Sequence, residues 1–132
     1  VRVYDYTAKR TVSVTHMHGL RDLNGKMDTP ERAAQARRLL DISRQVTEPE
    51  DVVVVCGDFN VEPDSETLSI LADAGLTELV TGRGFESTRN SQYQKPGRFA
   101  DYMFVNREEI VKSFEVIHDP EVSDHCPLVL GL

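Results

Sequence analysis

The run Val52-Val53-Val54-Val55-Cys56, followed at once by Gly57-Asp58, limits the folds open to this chain more than any other segment. Consecutive β-branched residues pack well on a pleated strand and poorly in a helix. With apolar residues on both sides of the pleat, such a strand must be covered on both faces. Asp51 to Asp58 is therefore expected as an inner strand of a layered sheet. The same run, Val52 to Cys56, is the longest apolar stretch and is far too short to cross a bilayer. No signal-peptide pattern opens the chain.

The flanking segments supply the rest of the sheet and its cover. Val1 to Tyr4 and Arg10 to His16 read as strands joined by a polar turn, with Val12 and Val14 on one face by the two-residue period. Gly19 to Asp28 is a polar loop with an Asn24-Gly25 turn signal. Thr29-Pro30-Glu31 combines a hydroxyl cap, proline at the first helical position and an acid in the first turn, so a helix is expected from Pro30 to Val46. Asp64 or Ser65 can cap a second helix carrying Leu68, Leu71 and Ala72, terminated at Gly75. Thr81 to Arg98 is a long polar loop of the kind that often binds ligands. Strands are expected again over Ala100 to Val105, Ile110 to Ile117 and Cys126 to Leu130. The order implies an α/β (α+β) fold: a mixed β-sheet with helices on one face, its other face in need of cover.

Charge and cysteine content narrow the function. The net charge of −7 repels polyanions at long range, although Arg83, Arg89, Lys95 and Arg98 provide local basic character. Two cysteines, Cys56 and Cys126, cannot form a disulfide framework for a chain of 132 residues. Both are expected as buried reduced thiols, in keeping with a reducing, cytoplasmic setting. A start at Val1, already on a strand, suggests a segment of a longer protein.

Four polar motifs fall at strand ends, where side chains emerge from a rigid scaffold. Asp58 and Asn60 follow the valine run; Thr15-His16 closes an earlier strand; Asp101 opens Asp101-Tyr102-Met103; Ser123-Asp124-His125 precedes the last strand. Alone, Asp-x-Asn reads as an Asx turn and Ser-Asp-His as a polar loop. Together they place carboxylates, an amide and imidazoles near one edge. Those residue types suit a metal, an activated water and donors for a developing negative charge.

In this order, Thr15-His16, Gly57-Asp58-Phe59-Asn60, Asp101-Tyr102 and Ser123-Asp124-His125 resemble the motifs of the endonuclease/exonuclease/phosphatase superfamily, with its DNase-I-like fold. The resemblance spans nearly the whole chain. It implies a divalent-metal-dependent hydrolase of phosphodiester bonds, of nuclease or small phosphodiesterase type, using Mg²⁺ or Mn²⁺. It further implies that Asp58 orients or deprotonates the attacking water and faces the metal, and that Asp124 belongs to the metal shell. Asn60, His16 and His125 would contact the phosphate, and Asp101 would fix the tautomer of His125. The family's amino-terminal half, with its metal-binding glutamate, has no counterpart here. Residues 1–132 are therefore expected to be the carboxy-terminal half of a two-sheet α/β sandwich. The uncovered sheet would be met by that missing half or by a second copy.

The rival reading is a truncated or degenerate superfamily domain with a binding or assembly role. His18 and His118 are expected as rim or solvent histidines, and Met17, Met103, Phe104 and Val105 as core. Arg107-Glu108-Glu109 is expected as a turn, and Arg89, Tyr93 and Arg98 read equally as substrate contacts or loop surface.

Overall fold

A computed structural model of the chain describes residues 1–22 and 25–132. The elements in order are β1 (Arg2–Asp5), β2 (Arg10–His18), α1 (Pro30–Val46), β3 (Val52–Asp58), α2 (Glu66–Asp73), β4 (Thr77–Glu78), β5 (Asp101–Val105), β6 (Ser113–Val116) and β7 (Leu128–Gly131). Five strands form a sheet of order β1-β2-β3-β5-β4, and β6 pairs with β7 separately. The β2–β3 pair is parallel and the remaining pairs are antiparallel, so the main sheet is mixed. The valine run forms the central strand, with Val52, Val54 and Val55 buried.

Register assigns the two faces. Ser13 pairs with Val53, and Thr15 with Val55, which in turn faces Phe104 on β5. This is the helix face: Thr47, at the C-terminal cap of α1, donates its hydroxyl to Ser13 Oγ at 2.9 Å. α1 buries Ala33, Ala36, Leu39 and Leu40. Thr29 Oγ1 accepts from the Arg32 amide at 3.2 Å, so the helix starts where its capping signal lies. α2 is capped by Ser65, whose Oγ accepts from the Thr67 amide at 3.0 Å. Asp64, the alternative cap, lines a neighbouring cavity.

The opposite face carries Val12, Val14, His16, Cys56 and Met103, and the β6–β7 hairpin packs against β5 from this side. Phe114 and Val116 are buried there, with Leu128 and Leu130 against them. Cover is incomplete. Val12, Val14, Cys56 and Met103 are only half-buried, and Val3, the register partner of Val12, is 50% exposed.

Some boundaries differ from those expected. β2 continues to His18 because Met17 and His18 find parallel partners in Gly57 and Asp58. Glu108–Ile110 forms a 3-10 turn, which delays β6 to Ser113. Pro127 has no amide proton to give a ladder, and β7 begins after it. The two-residue β4 has too little pattern to be read in advance. Of the expected Asn24-Gly25 turn, Asn24 lies outside the described residues. No described helix is long and apolar enough to cross a membrane.

Candidate active site

Because β2 and β3 are parallel, both deliver their last residues to one edge of the sheet. β5 runs antiparallel to β3, so its first residue arrives at the same edge. The register then aligns His18, Asp58 and Asp101 across the three strands, with His16, Cys56 and Met103 in the row behind. Strand pairing alone thus collects two imidazoles and two carboxylates.

The turn after β3 aims Asp58. Gly57 has φ +138°, and a Cβ there would lie 2.0 Å from the Met17 carbonyl oxygen, so glycine is required. Asn60 sits in the left-handed region at φ +55°, which asparagine tolerates. Asp58 Oδ1 accepts from the Asn60 amide at 2.9 Å, and Asn60 Nδ2 donates to the Gly19 carbonyl at 3.2 Å. The Asx turn is therefore real. It leaves Asp58 Oδ2 turned outward, 3.8 Å from both His18 Nε2 and His125 Nε2.

His125 is held from several sides. Its Nδ1 lies 2.7 Å from Asp101 Oδ2, and its amide donates to Ser123 Oγ at 3.0 Å. Thr88 Oγ1 accepts from the amides of Ala100 and Asp101, at 3.0 and 3.1 Å, while the Cys126 amide donates to the Thr88 carbonyl at 2.9 Å. One buried threonine so fastens the start of β5 to the strand-like segment bearing His125. Burial pushes the Asp101 carboxyl above its ordinary value; His125 opposes this, and the Asp58 charge adds to it.

Asp124 is engaged by a cation. Arg89 Nη1 donates to its Oδ2 at 2.6 Å, and the guanidinium carbon lies 4.4 Å over the ring centre of Tyr93. Arg89 is 5% exposed, so it is a buried cation rather than a loop-surface residue. No local sequence signal distinguishes it from Arg83 or Arg98. His18, expected at the rim, is 76% exposed there, with its Nε2 3.8 Å from Asp58.

Two adjoining cavities define the cleft. One, of about 510 Å³, is lined by His16, His18, Asp58, Asp101 and His125 among others. The other, of about 540 Å³, is lined by Asn60, Arg89 and Asp124, and shares His18, Asp58 and His125 with the first. The six residues selected from sequence therefore border one continuous cleft. Among the described residues, Asp58, Asp101 and His125 bring one donor atom each to within 4.8 Å of one another, a spacing that could hold a cation.

A site of two carboxylates and an imidazole at one strand edge, under a mixed sheet, defines a class of protein. The sequence profile of the Endonuclease/Exonuclease/phosphatase family matches residues 5–125, and the chain belongs to that family. Among solved structures, the human Nocturnin catalytic domain with bound sulfate anion is similar at TM-score 0.63 and 22% identity. That likeness covers 98% of this chain and 51% of the Nocturnin chain, so this chain spans about half the length of the relative it matches. It supports the DNase-I-like α/β fold. No curated protein is a significant match.

Proposed function

We propose that this chain carries the phosphate-cleaving edge of a divalent-metal-dependent phosphodiester hydrolase. The observation that carries the reading is the His125 ring, fixed by Asp101 on one nitrogen and facing Asp58 with the other. An imidazole that donates Nδ1–H to a carboxylate keeps Nε2 for the cleft, where it accepts a proton or, as imidazolium, donates to a phosphoryl oxygen.

The donor chemistry fits Mg²⁺ or Mn²⁺, which favour carboxylate oxygens. Asp58 would hold the ion, with Asp101 or the free oxygen of Asp124 within the same cleft; bound there, it would polarise the phosphate and acidify a water. This chain's own residues do the rest. Asp58 Oδ2 orients the attacking water and takes its proton. Asn60, His16 and His125 would donate to the phosphate as negative charge develops. Arg89 holds Asp124 in place.

A partner surface belongs to this reading. The sheet face around Val12, Val14 and Val3 is only half covered, and the related Nocturnin chain is about twice as long as the aligned segment. A further amino-terminal half, or a second copy, would cover that face and complete the metal shell. Two unpaired thiols suit a reducing, cytoplasmic setting.

The test is hydrolysis of a phosphodiester panel in Mg²⁺ or Mn²⁺ by this chain and by the full-length protein, with Asp58→Asn as control. Metal-dependent turnover by the full-length protein that Asp58→Asn abolishes is the expected result. No turnover by either would favour a binding or assembly domain.

A further inference from the structure

Two arginines, Arg32 and Arg89, are buried among the described residues, and they are held differently. Arg32 donates to the carbonyls of Leu20, Gly25 and Met27, so uncharged acceptors satisfy it. Arg89 has one side-chain acceptor among the described residues, Asp124 Oδ2 at 2.6 Å from its Nη1. Its Nε is buried without a partner, and its remaining contact is the face of Tyr93. Asp124 is thus the counterion that makes this buried charge tolerable.

The backbone keeps the two together. The Arg89 amide donates to Ser87 Oγ at 2.9 Å, and Arg89 stands opposite His125 in an antiparallel bridge. The next amide, of Asn90, donates to the Asp124 carbonyl at 3.4 Å. Arg89 and Asp124 then line one cavity with Asp58, Asn60 and His125.

A divalent cation held by Asp58 would therefore share its cavity with a fixed positive charge. Where it also draws on Asp124, it meets a carboxylate with one oxygen already engaged. An ionised carboxylate has further acceptor positions, so Oδ1 can serve the cation while Oδ2 keeps Arg89. Transfer of the whole carboxylate to the cation would strand a buried guanidinium, which is the costlier arrangement. Asp124 is shared, and by reciprocity each cation weakens the hold of the other.

We propose that Arg89 sets the affinity of the metal site: it is a built-in cation that keeps its share of Asp124 and holds divalent-metal binding below what the same carboxylates would give alone. Arg89 is a positioning residue, since it acts through Asp124. The role rests on the metal-dependent reading above and adds the residue that tunes its ion.

The test is calorimetric titration of the full-length protein with Mn²⁺, with Asp58→Asn marking the site by loss of binding. Arg89→Gln removes the charge but keeps a donor for Asp124, and should lower the Kd about fivefold or more. Arg89→Lys keeps the charge and should leave the Kd within about twofold. An unchanged or higher Kd in Arg89→Gln, as a merely structural role predicts, would overturn the assignment, and so would equal tightening by Arg89→Lys. Should Arg89→Gln not fold, the NMR signal of the Arg89 Nε–H group in the parent, assigned by its absence from Arg89→Lys, decides instead. Under saturating Mg²⁺ it should stay protected from exchange with water; its loss would mean that the metal takes Asp124 outright and releases Arg89. The two readings fail separately. A tighter Kd in Arg89→Gln without turnover of any phosphodiester keeps the role of Arg89 and removes the hydrolase. Metal-dependent turnover with a Kd indifferent to the Arg89 charge does the reverse, and no Mn²⁺ binding by parent or Arg89→Gln counts against both.

Discussion

Asp101 and His125 lie 24 residues apart in sequence and meet with carboxylate oxygen and ring nitrogen 2.7 Å from each other. The contact depends on Thr88, which binds the start of β5 and the segment of His125 at once. An imidazole fixed in this way has one orientation and one free nitrogen. Asp101→Asn preserves the shape but cannot enforce the Nδ1–H tautomer. We expect kcat to fall by roughly 10²–10⁴-fold, with KM nearly unchanged. Steady-state kinetics on the full-length protein decides it, and a kcat within a few-fold of the parent would remove Asp101 from the mechanism.

Asp58→Asn should abolish turnover while the metal-free fold keeps or gains stability. Asp58 and Asp101 are neighbouring register partners, and the charge of one already disfavours ionisation of the other. Removing one carboxylate relieves that repulsion, whereas the Asn60 amide can still donate to the new side-chain oxygen. Urea midpoints with and without chelator check the stability half; a clear drop would mark Asp58 as a structural residue.

Arg89→Met should destabilise the chain by about 1–3 kcal/mol, because the guanidinium is buried against Tyr93 and bound to Asp124. Asp124 is 44% exposed at its side chain and can rehydrate, which keeps the cost below that of a fully buried pair. Arg89→Lys keeps the charge but not the planar stack, so it should recover only part of the loss. Equilibrium unfolding of the three proteins measures this.

Acid should weaken the fold partly through Asp51. Arg2 donates to both carboxylate oxygens, at 2.6 and 2.9 Å, and this bond holds the Asp51 carboxyl below its ordinary value. A depressed folded value means the contribution is present at neutral pH and above the unfolded value of about 3.9. It is lost as pH falls from there through the lower folded value. Asp51→Asn should therefore reduce stability at pH 7 and flatten the loss as pH falls below about 4. Parallel slopes for parent and variant across that window would exclude the pair as a source of acid sensitivity.

Much of this protein is determined locally and can be read along the chain. The valine run could only be an inner strand, and Thr29-Pro30 fixed the start of α1 because a cap and its amide lie within three residues. Gly57 and Asn60 were legible as a turn, since steric limits on φ act within one or two residues. Tertiary structure decided everything that depends on distance across the fold. It carried β2 on to His18, and so placed a second imidazole opposite Asp58. It buried Arg89 while leaving Arg83 and Arg98 less enclosed, and it turned Asp124 toward that cation. It also closed a cavity at Lys26 and Tyr93 from three separate segments. Backbone propensity and capping are short-range forces, whereas pairing register, burial and charge contacts arise only when remote segments meet.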